Sequence, residues 1–274
     1  AAGAVAGDPG KILEVISTVT EGQKAEIRDY LDRCEIRVKP APGDVVFDVI
    51  LTLWAGEDSV RLRIMDYHTN IVLIEKNGVP LLQCGAVTPA GEAASGLTDR
   101  SCLSVDAIVD FADTVDLEDV AAPVERQLEY NCAIAREGMT RDWGANIGKV
   151  LREYYGEDVK VRARYMAAAG SDARMSGCEM PVIIVSGSGN QGITASVPVA
   201  VYAQELKVSH EKLLRAVVLS DLLAIHMKTG IGRLSAYCGA VSAGCAAGAA
   251  ISYLYGGGRR EVGHTLVNAL ATIS

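Results

Sequence analysis

The chain has 274 residues, 49% of them hydrophobic but only 5% aromatic, and carries a net charge of −8. That length allows one large or two modest domains, and the scarcity of aromatics leaves a core of Ala, Val, Leu, Ile and Gly, which suits closely packed helices. Scattered basic residues on an acidic chain argue against a nucleic-acid partner, and seven cysteines without a C-x-x-C pair or signal peptide point to reduced thiols in the cytoplasm.

The chain opens on Ala1-Ala2-Gly3-Ala4, without methionine and without the basic flank of a targeting segment, and reads as trimmed. Asp8-Pro9 suits an N-cap and first helical position, with Ile12, Leu13 and Ile16 as an apolar stripe. Thr20 and Gln23 form a capping box for a second helix to about Asp32. From Glu35 the period changes to two. Phe47, Val49, Leu51 and Leu53 alternate with other residues, as do Val60, Leu62 and Ile64. Asn77-Gly78 after Ile71 to Glu75 signals a hairpin, because both residues tolerate the positive φ of a type I′ turn. About four antiparallel strands are expected between Glu35 and Leu82.

Beyond a polar stretch from Thr88 to Arg100, helices are expected almost to the end. Asp116 caps one that carries Val124, Leu128 and Ile134, another covers about Ala145 to Tyr155, and Ser209 caps one that carries Leu213, Leu214, Val217 and Val218. Leu234 to Tyr255 is rich in Ala, Gly and Ser. Its Gly244 and Gly248 are spaced as in membrane helix pairs, yet Ser235, Ser242 and Ser252 favour a buried helix of a bundle. The expected fold class is α+β: residues 1–98 carry the small antiparallel sheet, and residues 99–274 form the larger helical bundle.

The stretch from Asp172 to Pro198 carries most of the chemistry. A β-branched run, Pro181 to Val185, leads into Ser186, Gly187, Ser188, Gly189, Asn190, Gln191 and Gly192. Glycines let a backbone approach a ligand and adopt positive φ, and successive free N–H groups attract a carboxylate or phosphate. Asp172 and Arg174 are placed as an ion pair bracing this loop. Gly187, Gly189 and Gly192 also spell G-x-G-x-x-G, which would suit a nucleotide-dependent oxidoreductase. Against that, Pro198 falls where the crossover helix of a dinucleotide fold would run. A turn that uses its glycines for structure alone is the remaining reading.

Elsewhere, His68 and Asn70 fall where a strand pair turns, and an imidazole there could serve proton transfer or simply close the turn. Lys228 and Arg233 flank Gly230 and Gly232; each either faces solvent at a helix end or pairs with a carboxylate. Cys238, Cys178 and Cys245 match no compact metal spacing.

The runs from Ala168 to Pro198 and from Lys228 to Gly258, with Ala4-Val5-Ala6-Gly7-Asp8-Pro9 and His68-Thr69-Asn70, resemble the iron–sulfur L-serine dehydratase α-chain superfamily, in its L-cysteine desulfidase-like, UPF0597-type branch. The resemblance implies a lyase of amino-acid catabolism. It would remove the α-proton of L-cysteine or L-serine and eliminate sulfide or water, and the aminoacrylate formed would hydrolyse to pyruvate and ammonia. It implies a [4Fe-4S] cluster on three thiolates, with an open iron as Lewis acid for the leaving group. Cys238 matches one metal-ligand position. The other two fall in segments before and after this chain, so the chain itself is expected to lack the cluster and to be inactive. By the same resemblance His68 and Asn70 orient the substrate as catalytic residues. Ser186 to Gln191, with Lys228 and Arg233, bind it. A non-catalytic amino-acid-binding module without a cluster is the alternative. The expected partner is a small amino acid, with no nucleic acid or membrane, and an exposed apolar patch would favour a homodimer.

Overall fold

The computed structural model describes residues 1–16, 18–45, 47–66, 70–84, 98–231 and 238–273, without the side chains of 12–14 and 273. The fold is α+β, and the chain divides into two compact units, residues 1–97 and 98–274.

In the first unit, α1 (Ala2–Ala6) packs on α2 (Glu21–Arg33). The Thr20 hydroxyl accepts from Gln23 N–H while the Gln23 side chain accepts from Thr20 N–H, so the expected capping box starts α2. Asp8 caps Pro9–Glu14 through Gly10 N–H, but that segment is a 3₁₀ turn rather than an α-helix. The sheet is a meander of β1 (Asp48–Ala55), β2 (Asp58–Met65), β3 (Ile71–Lys76) and β4 (Val79–Gln83), each strand antiparallel to the next. Leu51 faces Leu62, Leu62 faces Ile74, and Ile74 faces Leu82, so the period-two residues line one face. Asn77 (φ 52°) and Gly78 (φ 79°) make the two-residue turn between β3 and β4. The strands start at Asp48, not at Glu35. Pro40, Pro42 and Gly43 lie between, and proline takes its N–H away from any ladder.

The named elements of the second unit, among the described residues, are helices: α3 (Val105–Thr114), α4 (Leu117–Thr140), α5 (Ile147–Tyr155), α6 (Val159–Met175), α7 (Gly189–Leu206), α8 (His210–Ile231), α9 (Gly239–Leu254) and α10 (Arg259–Ile273). Asp116 caps α4 through Glu118 N–H, and Ser209 accepts from Lys212 N–H at the start of α8. Small residues set the helix spacing. A methyl group at Gly138 of α4 would lie 2.1 Å from the Ala169 carbonyl oxygen of α6, and one at Gly148 of α5 would lie 2.6 Å from the Ala169 side chain.

α7 is the axis of the unit and packs against α4, α6, α8 and α9. Pro198 lies inside it, so the expectation that this proline would halt a helix is overturned. Proline removes one intrahelical bond, and burial of Ile193, Val197, Val199 and Val201 on these neighbours offsets that loss. The dinucleotide reading loses that argument and meets a stronger one. α7 leads into α8 rather than into a parallel strand, and the sheet, antiparallel throughout, belongs to the first unit. α9 is a buried helix of the bundle, as expected, but it starts at Gly239 rather than Leu234; Leu234 to Tyr237, Ser235 among them, lie outside the described residues. Among the described residues no helix is long and apolar enough to cross a membrane.

Candidate functional site

The extended segment before α7 is held from inside the bundle. Ile183 N–H donates to Asn131 Oδ1 (2.9 Å), and Asn131 Nδ2 donates to the Ile183 carbonyl (3.1 Å) and to Ser196 Oγ (3.2 Å). Ser196 Oγ donates onward to the Gly192 carbonyl at 2.8 Å. Asn131 is fully buried, so this side chain replaces the strand partner that the segment lacks.

The chain then reverses. Val185 and Ser188 exchange two backbone hydrogen bonds of 3.2 Å across Ser186 (φ 51°) and Gly187 (φ 87°). Positive φ at both central residues is the type I′ geometry.

The three glycines were expected to serve a ligand, and each turns out to have an internal use. Gly187 supplies the turn's φ, with open space around it. A methyl group at Gly189 would lie 2.3 Å from Arg174 Nε, and one at Gly192 would lie 1.9 Å from the Ile183 carbonyl oxygen.

Asp172 and Arg174 do not form the expected ion pair. Asp172 Oδ2 accepts from Ile147 N–H (2.7 Å) at the start of α5, whereas Arg174 Nη1 donates to Asn190 Oδ1 (3.3 Å) over the start of α7. Residues two positions apart on a helix do not share a face, so the two side chains diverge.

Neither Ser188 before α7 nor Cys238 before α9 caps its helix with its own side chain. The first N–H groups of a helix have no intrahelical acceptor, and its N-terminus carries partial positive charge. With the Arg174 guanidinium lying against Gly189, the start of α7 favours an anion.

The two helix starts meet through one side chain. A methyl group at Gly239 would lie 2.3 Å from Gln191 Cδ and Nε2 and 2.5 Å from Oε1. Gln191 is 5% exposed, and its Oε1, like the covered Ser186 Oγ, has no hydrogen-bond partner in the described structure.

Of the sequence-derived site residues, the fold therefore brings together Ser186, Gly187, Ser188, Gly189, Asn190 and Gln191 with Cys238, the exposed residue immediately before Gly239. Lys228 is buried in the last turn of α8, which removes the reading of a solvated helix end. His68 and Arg233 lie outside the described residues. Asn70 belongs to the first unit, where its Nδ2 donates to the Met65 carbonyl (2.8 Å) at the end of β2.

Arg174 was expected to brace this loop as half of an ion pair, and it does meet the loop, through Asn190 and Gly189 rather than with Asp172. It reaches Gly189 only after a helix end, a turn and an extended segment, so no local spacing announces the contact.

A [4Fe-4S] cluster does not fit what the described residues offer. Cys238 is an exposed thiol, while Cys245 is buried two turns further along α9. Cys178 is half-buried among apolar side chains. Among the described residues no three His, Cys, Asp or Glu side chains gather as metal ligands. An open depression of about 660 Å³ lined by Glu137, Arg141, Trp143, Cys178 and Glu179 includes none of the turn residues.

Residues 10–274 match the family model described as serine dehydratase alpha chain. A UPF0597 protein of Desulfitobacterium hafniense is 56% identical over the whole chain, which spans 63% of that relative. UPF0597 proteins of Lachnoclostridium phytofermentans and Fusobacterium nucleatum are 46% and 44% identical over 99% and 100% of the chain, and the chain spans 64% and 65% of them. It thus covers a little under two thirds of the curated relatives it matches. No solved structure matches.

Proposed function

Because the chain belongs to the serine dehydratase alpha chain family, we propose that it supplies the amino-acid-binding part of a β-elimination lyase, with L-cysteine or L-serine as substrate. The supporting observation is the meeting of two helix starts, neither capped by the side chain before it, at Gln191 and Gly239, next to Cys238. In this reading the substrate carboxylate lies on the N–H groups that open α7, with Arg174 adding positive charge. Gly187 keeps the turn close, and Asn131 holds the segment before it at fixed depth, so the donors are in place before substrate arrives. Loss of the α-proton and of the β-thiol or hydroxyl gives aminoacrylate, and water converts this to pyruvate and ammonia. We assign the family's iron–sulfur chemistry to the longer protein. Cys238 is its one ligand candidate in this chain, and no step is placed on it here. His68 and Asn70 as substrate-orienting groups, and Lys228 and Arg233 as carboxylate partners, belong to the same reading.

The test compares this 274-residue chain with the complete Desulfitobacterium hafniense relative, both reconstituted anaerobically with iron and sulfide. The expected result is cluster and pyruvate formation in the complete relative, and neither in the chain. A complete relative that stays colourless and converts neither amino acid would sink the lyase reading and leave a binding module. Cluster and turnover in the chain would refute the ligand assignment.

A further inference from the structure

We infer that Gln191 is the residue by which this site recognises an amine, with its Oε1 accepting a hydrogen bond from the ammonium group of a small zwitterion. The inference rests on the reading above that the start of α7 takes a carboxylate. Gln191 is 5% exposed, and Oε1 has no partner in the described structure. Buried acceptors in folded chains almost always have a donor, so an orphan one at a helix start calls for a donor from a ligand. The carboxamide is also fixed in place, because it lies flat on Gly239, where even a methyl group would be within 2.5 Å of its Oε1.

Asn190 Oδ1 already accepts from Arg174, and the Ser186 hydroxyl can donate as well as accept, so the groups left to meet a ligand beside Gln191 Oε1 are mainly donors. They are the opening N–H groups of α7 and α9 and the Arg174 guanidinium. A simple anion would satisfy those donors and leave Oε1 unpaired. A neutral amine would pair with Oε1 and leave the donors bare. A molecule with carboxylate and ammonium on one carbon offers a partner to both. Gln191 therefore sets the preference for an amino acid over the same acid without its amine. The penalty for lacking the amine is the buried acceptor left without a partner.

Isothermal titration calorimetry on the whole chain tests this with L-serine and 3-hydroxypropionate, which differ only in the amine. The native chain should bind L-serine at least about tenfold more tightly. Gln191→Met keeps the side-chain length and removes the acceptor, so it should bind both compounds equally, with the 3-hydroxypropionate affinity unchanged. Gly239→Ala, which displaces the carboxamide, should narrow the same ratio and serves if Gln191→Met fails to fold. The inference is overturned if the native chain binds 3-hydroxypropionate as tightly as L-serine, if it binds neither, or if Gln191→Met keeps the preference. The pyruvate assay on the complete relative is independent. An amine preference that depends on Gln191, without turnover there, would sink the lyase reading and keep this one. Turnover with no effect at Gln191 would do the reverse.

Discussion

The sheet of the first unit and the α7 neighbourhood of the second are held together in opposite ways. In the sheet each strand pairs with its sequence neighbour, and only Val72 is buried among the described residues of that unit, while Leu51, Leu53 and Trp54 remain exposed. Its ties are ladders, tight turns and cross-strand pairs such as the bidentate Arg63–Asp48 contact, where the guanidinium holds the Asp48 carboxyl below its ordinary range. Around α7 the ties link distant parts of the chain, Asn131 to Ile183 and Ser196, Gln127 to Asp221, and Ser220 Oγ to the Ala195 carbonyl. These polar groups sit among close-packed Ala, Val and Gly, where an unmatched partner has no water to turn to. The sheet is thus a region of local and replaceable contacts, and the bundle one in which a single substitution strands several groups at once.

The largest expected effect follows from that contrast. Asn131→Leu removes the bonds that Asn131 makes to Ile183 and Ser196 and leaves the Ile183 N–H and carbonyl without their partner. Destabilisation of about 3–5 kcal/mol is expected from two or more stranded groups, read as a lower urea midpoint in the helical circular-dichroism signal. A loss under about 1 kcal/mol, no more than one ordinary hydrogen bond, would mean that the bundle tolerates change as the sheet does.

The second prediction concerns Asp221 of α8. Burial raises its pKa from 3.8 to about 7, while the bond from Gln127 Nε2 pulls weakly the other way. Between those values the folded chain keeps a proton that the unfolded chain releases, so stability falls as pH rises through this window and levels off above it. Asp221→Asn still accepts from Gln127 and cannot ionise. It should match the native chain near pH 4 and exceed it by roughly 2–4 kcal/mol above pH 7. Melting temperatures at the two ends of the range check this, and parallel curves for the two proteins would refute it.

The smallest effect is expected in the sheet. Gly78 has φ 79° and open space where a side chain would sit, so Gly78→Ala meets backbone strain without a clash. A loss of about 1 kcal/mol is expected, seen as faster amide exchange confined to β3 and β4. Spread of the faster exchange into β1 would show the meander to be more cooperative than its neighbour-by-neighbour pairing implies.

The elements legible from sequence were those whose cause lies within a few residues. Thr20 and Gln23 cap α2, and Asn77-Gly78 turns β3 into β4. Alternation fixes which face of β1 and β2 is apolar, and Asp116 and Ser209 start α4 and α8. Each rests on a φ preference, a side chain within reach of its own backbone, or a period of two, and none depends on what packs alongside. The composition also announced close helices, and the motifs shared with the serine dehydratase alpha chains announced the family.

What tertiary structure decided came from partners far away in the chain. Pro198 reads as a helix breaker locally and is carried through α7 by burial on four other helices. Asp172 and Arg174 look like a pair and serve α5 and α7 separately. Gly192 is required by a carbonyl of the preceding segment, and Gln191 meets Gly239 because α7 and α9 pack start to start. A local pattern fixes torsion angles and faces, whereas which face meets which depends on the closure of the whole bundle, so these positions became readable only in the folded chain.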